Sequence, residues 1–332
     1  MKYRDMDDNG QLNFSDAPLT PGLSEAYSFM ETGDFDSALK IFDQLILTNM
    51  DSPGVVEGYR TTRFWLNRIT DAASIREGKD KADFFLCEWQ SFLEYSDTHN
   101  IRDTHSFRAA ERYVYYTAAE HYNIAFKKDE NPTNNIDLVL NLSICFLKIS
   151  EYSLAVDTLE YARTIYVSNP RILSMLGEAY YHLKEVPKAL LLFREAFFID
   201  PSMIDLTLIR SEPVSRLYDI SVEEKSGWGD PREWIPVFGH VTDLFYVKRH
   251  LNMQMVDAIS SDVYMLEKSY HTMSVDRLRE SNVLPRLINK YLWLFDYYKE
   301  QNYNVDNLSE IRSRLIEIDK KLFTSYFKSI KL

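Results

Sequence analysis

Residues 173–201 read LSMLGEAYYHLKEVPKALLLFREAFFIDP, and the spacing within them decides the fold. Leu173, Leu176, Gly177, Tyr180, Ala189, Phe193, Ala196 and Pro201 form the pattern L-x2-L-G-x2-Y-x8-A-x3-F-x2-A-x4-P. Small residues at Gly177 and Ala189 let two antiparallel helices approach closely, while Tyr180 and Phe193 fill the space between neighbouring pairs. A bulky side chain at either small position would splay the pair. Pro187 falls in the first turn of the second helix, where its missing N–H is harmless, and Pro201 follows that helix as a natural stop.

Moving back 34 residues finds Val139, Leu142, Ser143, Phe146, Ala155, Leu159 and Ala162 at the same places, so two units share one period. A third copy near the N-terminus is carried by Tyr27, Gly33-Asp34-Phe35, Ala38, Phe42 and Leu45, followed by Pro53. In these units the sequence resembles the tetratricopeptide repeat family, whose unit is a helix-turn-helix of this length and spacing. The resemblance spans residues 23–205 and is tightest in the units 137–170 and 171–205. It implies an all-α fold, a right-handed α-solenoid of helix pairs followed by a C-terminal helical module.

The resemblance also implies a place for a partner. In the family the first helices of successive units line a concave groove, which here would present Asp137, Leu140, Ile144, Leu147 and Lys148 from one unit. The next unit would present Arg171, Ser174, Glu178, Tyr181 and His182. A subset of the family grips a terminal carboxylate with a Lys and an Asn one helical turn apart, but Leu140 and Ile144 stand at those positions. An apolar wall beside a charged one suits an amphipathic helix or an extended apolar peptide. The same apolar positions are equally suited to being covered by the chain's own C-terminal helices.

Between the copies, residues 54–130 keep helical periodicity around Trp65, Phe85, Trp89 and Tyr113, which reads as divergent helix pairs with longer loops near Asn100 and Asn131-Pro132. Residues 206–230 read as a loop-rich passage. Beyond Pro231 the pattern predicts four helices, over 231–250, 253–271, 275–300 and 305–329, forming a cap or bundle over 206–332. Residues 1–22 form an acidic segment outside the array. The aromatic passage from Gly227 to Gly239 reads as a staple between modules, with presentation of Trp228 to a partner as the alternative.

Composition narrows the function. The 22 Tyr, 19 Phe and 5 Trp of this 332-residue chain supply far more burial than a disordered chain carries. With 38 Lys and Arg against 50 Asp and Glu, the formal charge of -12 lacks the basic stripe of a phosphate-backbone binder, so nucleic acid is not an expected partner. Ten glycines are poor material for phosphate-cradling loops. Cys87 and Cys145 lie in apolar runs and read as buried, reduced thiols. No apolar leader and no membrane-length apolar window occurs, so the expected location is the cytoplasm.

The sharpest local motif is Asp5-Met6-Asp7-Asp8-Asn9-Gly10-Gln11-Leu12-Asn13-Phe14-Ser15-Asp16, which resembles an EF-hand calcium loop. The resemblance would make Asp5, Asp7, Asn9, the Gln11 carbonyl and Asp16 the ligands, with Gly10 at the sharp turn. Asp16 replaces the usual Glu, and Pro18 and Pro21 interrupt a following helix, so a fortuitous match in an acidic tail is the competing reading. The seven histidines form no zinc-binding spacing, and neither a nucleophile elbow nor an activated thiol is present. No cofactor is expected apart from that candidate calcium. The sequence reads as a non-enzymatic adaptor or scaffold that binds a partner protein or peptide in the groove. A calcium-regulated or calcium-stabilised helical protein and a structural subunit of a larger complex are the alternatives. The C-terminal Leu322, Phe323, Tyr326 and Phe327 face is read as docking on the chain itself or joining copies into a homo-oligomer.

Overall fold

The computed structural model describes residues 21–49, 53–128, 135–245, 250–301 and 305–330. Among these residues the chain is all-helical, and it gathers into two compact units that divide between Glu151 and Tyr152. The calcium-like loop, with Asp5, Asp7, Asn9, Gln11 and Asp16, lies outside the described residues.

The first unit holds α1 (Pro21–Glu31), α2 (Phe35–Asn49), α3 (Pro53–Ala72), α4 (Lys79–Thr98), α5 (His105–Lys128) and α6 (Ile136–Lys148). The turn between α1 and α2 is the one read from Gly33-Asp34-Phe35. Gly33 has φ of +84°, and a Cβ there would meet the Tyr113 ring at 2.5 Å, so glycine answers both backbone and space. Asp34 then caps α2 by accepting the Ser37 N–H at 3.0 Å. α2 crosses α3 where Gly58 leaves room for the Phe42 ring, a contact that a Cβ would bring to 2.3 Å. Rings fill the space among α3, α4 and α5. Trp65, Trp89, Phe92 and Phe107 are buried and stand at centroid separations of 5.1–6.3 Å.

On α4 the buried residues are Ala82, Phe85, Trp89, Phe92 and Ser96, a single stripe of three- and four-residue steps. Cys87 lies off that stripe and is exposed, which corrects its reading as a buried thiol. A run of four apolar residues wraps more than half way round a helix, so its members cannot all face one core. Cys145 on α6 is fully buried, and burial pushes its thiol well above the ordinary cysteine range.

The second unit begins with α7 (Tyr152–Arg163), α8 (Pro170–His182) and α9 (Val186–Ile199). Asn169 caps α8 by accepting the Arg171 and Ile172 N–H groups, and Pro187 stands in the first turn of α9. The α8–α9 pair closes over Gly177 as its spacing predicts, but the ring that takes the room is Phe193 of the same pair, which the spacing assigns to the space between pairs. A Cβ at Gly177 would lie 2.8 Å from the Phe193 ring, and Phe193 and Ala189 have no exposed surface.

Two short 3-10 turns, Pro201–Met203 and Leu206–Leu208, lead into α10 (Glu212–Glu224) and α11 (Pro231–Val241). The passage 206–230, read as loop-rich, therefore contains a helix, and Pro213 initiates it from the first turn. α12 (Met253–Thr272), α13 (Val275–Glu280), α14 (Val283–Gln301), α15 (Val305–Ile318) and α16 (Lys320–Ser329) complete the unit. Three boundaries differ from those read in the sequence. The first helix after Pro231 stops at Val241. The segment 275–300 breaks at Ser281-Asn282, and 305–329 breaks at Asp319, whose side chain accepts the Leu322 N–H and starts a new helix.

α14 is the centre of this group, with Leu287, Ile288, Leu292 and Phe295 all buried against its neighbours. Glu233 of α11 has no exposed side-chain surface and is held by Arg286 of α14 at 2.9 and 2.5 Å, while Arg286 reaches Asp200 after α9 at 3.1 Å. The chain on either side of residue 205 is thus tied into one compact unit. Within the Gly227–Gly239 passage Trp234 donates to the Trp228 carbonyl at 2.6 Å, and the Gly229 N–H donates to the Arg279 carbonyl. α16 docks through Phe323 and Phe327, both buried.

Candidate partner-binding surface

The residues expected to line a groove separate into open and closed positions. On α6, Asp137 is exposed and Ile144 half-buried, but Leu140 has no exposed surface and Leu147 is also buried. Lys148 is committed to Glu111 of α5 at 3.5 Å and lies 5.7 Å from the Tyr115 ring centre. A side chain without exposed surface offers nothing to a partner, so Leu140 and Leu147 act as core.

On α8 the closure is more complete. Arg171 and Tyr181 are half-buried, whereas Ser174 and Glu178 are buried. The Glu178 carboxylate accepts the Arg210 N–H at 2.7 Å on Oε1 and the Ser211 N–H at 3.1 Å on Oε2. His182 Nε2 lies 2.9 Å from Oε1, and its ring stacks on Tyr152 at 4.4 Å. Glu178 therefore anchors the chain's own segment at the entry to α10. At Glu178 the expected groove face of α8 is covered from within the second unit, by the residues before α10.

The same segment builds a cavity of about 670 Å³, lined by residues from Ser202 to Arg232. Its walls are stiffened by local caps. Asp200 accepts from the Ser202 N–H and hydroxyl, and Asp205 accepts from the Thr207 N–H and hydroxyl, at 2.7–3.1 Å. Ile204, Ile209 and Val214 form an apolar floor with almost no exposure. Met203 at 45% and Tyr218 at 37% exposure stand at the surface beside it. Asp205, Asp219, Asp230 and Arg232 supply the charge.

Arg232 is internally neutralised. Its guanidinium donates to Asp230 at 2.8 and 2.5 Å, and Asp230 also caps α11 through the Arg232 N–H at 2.9 Å. Burial alone would raise the Asp230 carboxyl, but these bonds from Arg232 outweigh it and hold the group below the ordinary aspartate range. Among the described residues, neither Asp205 nor Asp219 has a cation at ion-pair distance. The sequence signals for this cavity were the Asp-x-Ser and Asp-x-Thr spacings at 200–202 and 205–207. Their meeting with Tyr218 and Arg232 is a tertiary event.

A second cavity of about 520 Å³ is bordered by Arg194, His240, Asp296 and Tyr326. Arg194 pairs with Asp296 at 3.1 Å, and His240 Nε2 lies 2.9 Å from the Tyr326 hydroxyl. Burial pushes that hydroxyl well above the ordinary tyrosine range. These polar groups join α9, α11, α14 and α16 and satisfy one another, which is the behaviour of a buried network.

Among the described residues, no helix is long and apolar enough to cross a membrane. No known family profile and no curated protein matches this chain.

Proposed function

We propose that the chain is a non-enzymatic adaptor or scaffold built on tetratricopeptide-like helix pairs, of the right-handed solenoid kind, and that it holds a segment of a partner protein. The observation that carries this reading is the cavity between Ser202 and Arg232, beside the α8–α9 pair, where Met203 and Tyr218 leave apolar surface open to a partner. A concave apolar pocket with a few placed polar groups is the usual form of a recognition site. Tyrosine at its edge supplies large contact area at low entropic cost. Because Glu178 is held by the residues before α10 and Ser174 is buried, the partner's place moves from the first-helix groove of α8 to this neighbouring cavity.

The test is capture of partners from the source cell by the wild-type chain and by a Met203→Asp/Tyr218→Asp variant. Both residues are substantially exposed, so the variant should keep its thermal transition. A partner held by wild type and released by the variant supports the assignment. Equal capture by both proteins refutes it.

A further inference from the structure

We infer that the Ser202–Arg232 cavity selects a partner segment that sets a Lys or Arg beside apolar side chains, a cationic amphipathic peptide. The inference rests on the cavity being the partner site and adds the chemistry of the occupant.

The apolar half of the argument is shape. Ile204, Ile209 and Val214 are already buried and only set the shape of the base, so the apolar surface open to a partner is that of Met203 and Tyr218. One turn beyond Tyr218 on α10, Val222 is 43% exposed, so the apolar track continues along the helix. An occupant that buries this track gains roughly 25 cal/mol per Å² of apolar surface removed from water.

The charged half is complementarity. Of the four charged groups in the lining, Arg232 and Asp230 cancel at 2.5 Å, which leaves Asp205 and Asp219 to set the sign. Asp205 spends Oδ1 on the Thr207 cap. An ionised carboxylate accepts through both of its oxygens, so that cap leaves Oδ2 for a further donor. α10 itself carries Glu212, Asp219, Glu223 and Glu224 against Arg216 alone. An anionic partner segment would meet repulsion at this edge, and a wholly apolar one would leave two carboxylates to lose water without a partner. A Lys or Arg one helical turn from a Leu or Ile answers both requirements. The chain's formal charge of -12 favours the same partner before contact, by attracting cations over a distance that salt shortens.

The experiment uses the full chain and three fluorescein-labelled 12-residue peptides, read by anisotropy. The first carries Leu at three- and four-residue spacing with Lys between, the second replaces Lys by Glu, and the third replaces Leu by Ser. Only the first should bind, and raising the salt should weaken it. Tyr218→Ala should cost about 30-fold in affinity, the loss expected of a central aromatic anchor. Asp205→Asn/Asp219→Asn should cost about tenfold and flatten the salt dependence, with the cap at residue 205 preserved because Asn also accepts. Asp257→Lys, a charge reversal on exposed α12 outside the cavity, should change little.

Equal binding of the Glu peptide, or binding of the Lys peptide that survives both cavity variants, overturns the inference. In the first case the adaptor reading stands if Met203→Asp/Tyr218→Asp still releases the cellular partner. In the second the peptide is held by charge elsewhere. No binding of any peptide also overturns the inference, and unchanged cellular capture by the Met203→Asp/Tyr218→Asp variant would then remove the adaptor assignment with it.

Discussion

Replacing Glu178 by Ala should destabilise the second unit by about 3 kcal/mol. The side chain is 3% exposed and accepts two backbone N–H groups, from Arg210 at 2.7 Å and Ser211 at 3.1 Å. Arg210 is exposed, so water can replace the carboxylate at its N–H. Ser211 has no exposed surface, and its N–H would be stranded at a cost of about 1–3 kcal/mol. The lost methylenes and the space they leave add about 1 kcal/mol. Glu178→Gln keeps one carbonyl acceptor and turns a donor towards the other N–H, so it should lose about half as much. Urea unfolding followed by fluorescence should show the Ala midpoint lowered by about 1 M at the slope expected for a unit of this size. Hydrogen exchange should localise the change, with the Ser211 amide losing protection ahead of the α14 amides. A shift below about 0.5 kcal/mol, or unaltered protection at Ser211, would refute the idea that this carboxylate holds the segment.

Four further outcomes follow from the same packing. Gly177→Ala sets a Cβ 2.8 Å from the buried Phe193 ring, so overpacking of about 1–3 kcal/mol should exceed the roughly 1 kcal/mol gained in helix propensity, read as a net fall in Tm. Ser211→Ala should raise Tm, by about 1 kcal/mol in stability, because the hydroxyl is buried with no hydrogen-bond partner among the described residues and makes no cap bond to α10. A thiol reagent should modify Cys87 quickly in the native protein and Cys145 only on unfolding, counted by absorbance. At Asp319 burial alone would raise the carboxyl, but hydrogen bonds from Lys225 and the Leu322 N–H outweigh it and hold it below the ordinary value of 3.8. Its contribution is therefore complete above pH 3.8 and is lost as pH falls through the lower folded value, so Asp319→Asn should flatten acid unfolding in that window.

The helix pair at 170–199 was legible because the close packing of two helices is written into local spacing: Gly177, Ala189 and Phe193 stand at the steps where the two helices meet. The helix pair α1–α2 was legible in the same way, through Gly33 and the turn it permits. Helix breaks at Ser281-Asn282 and Asp319 were less so, since both flanking segments keep helical periodicity and only the cap residue marks the stop. Cys87 was misread because composition reports neighbours along the chain, while exposure depends on angle around the helix. The closure of α8 had no local signal. Glu178 and Ser211 are 33 residues apart, and a groove-facing Glu looks alike in sequence whether it meets solvent or two backbone amides.

The bond between Glu178 and the start of α10 also limits how this chain can be lengthened. Repeat proteins gain units by copying a helix pair in place, and the new pair stacks on the old one. A pair inserted after Ile199 would carry Arg210 and Ser211 away from α8 and leave a carboxylate facing whatever helix arrived. On the proposed repeat reading a viable duplication must copy residues 170–211 as one piece, latch included, so the seam of such a module would lie a dozen residues beyond the point where its helices end.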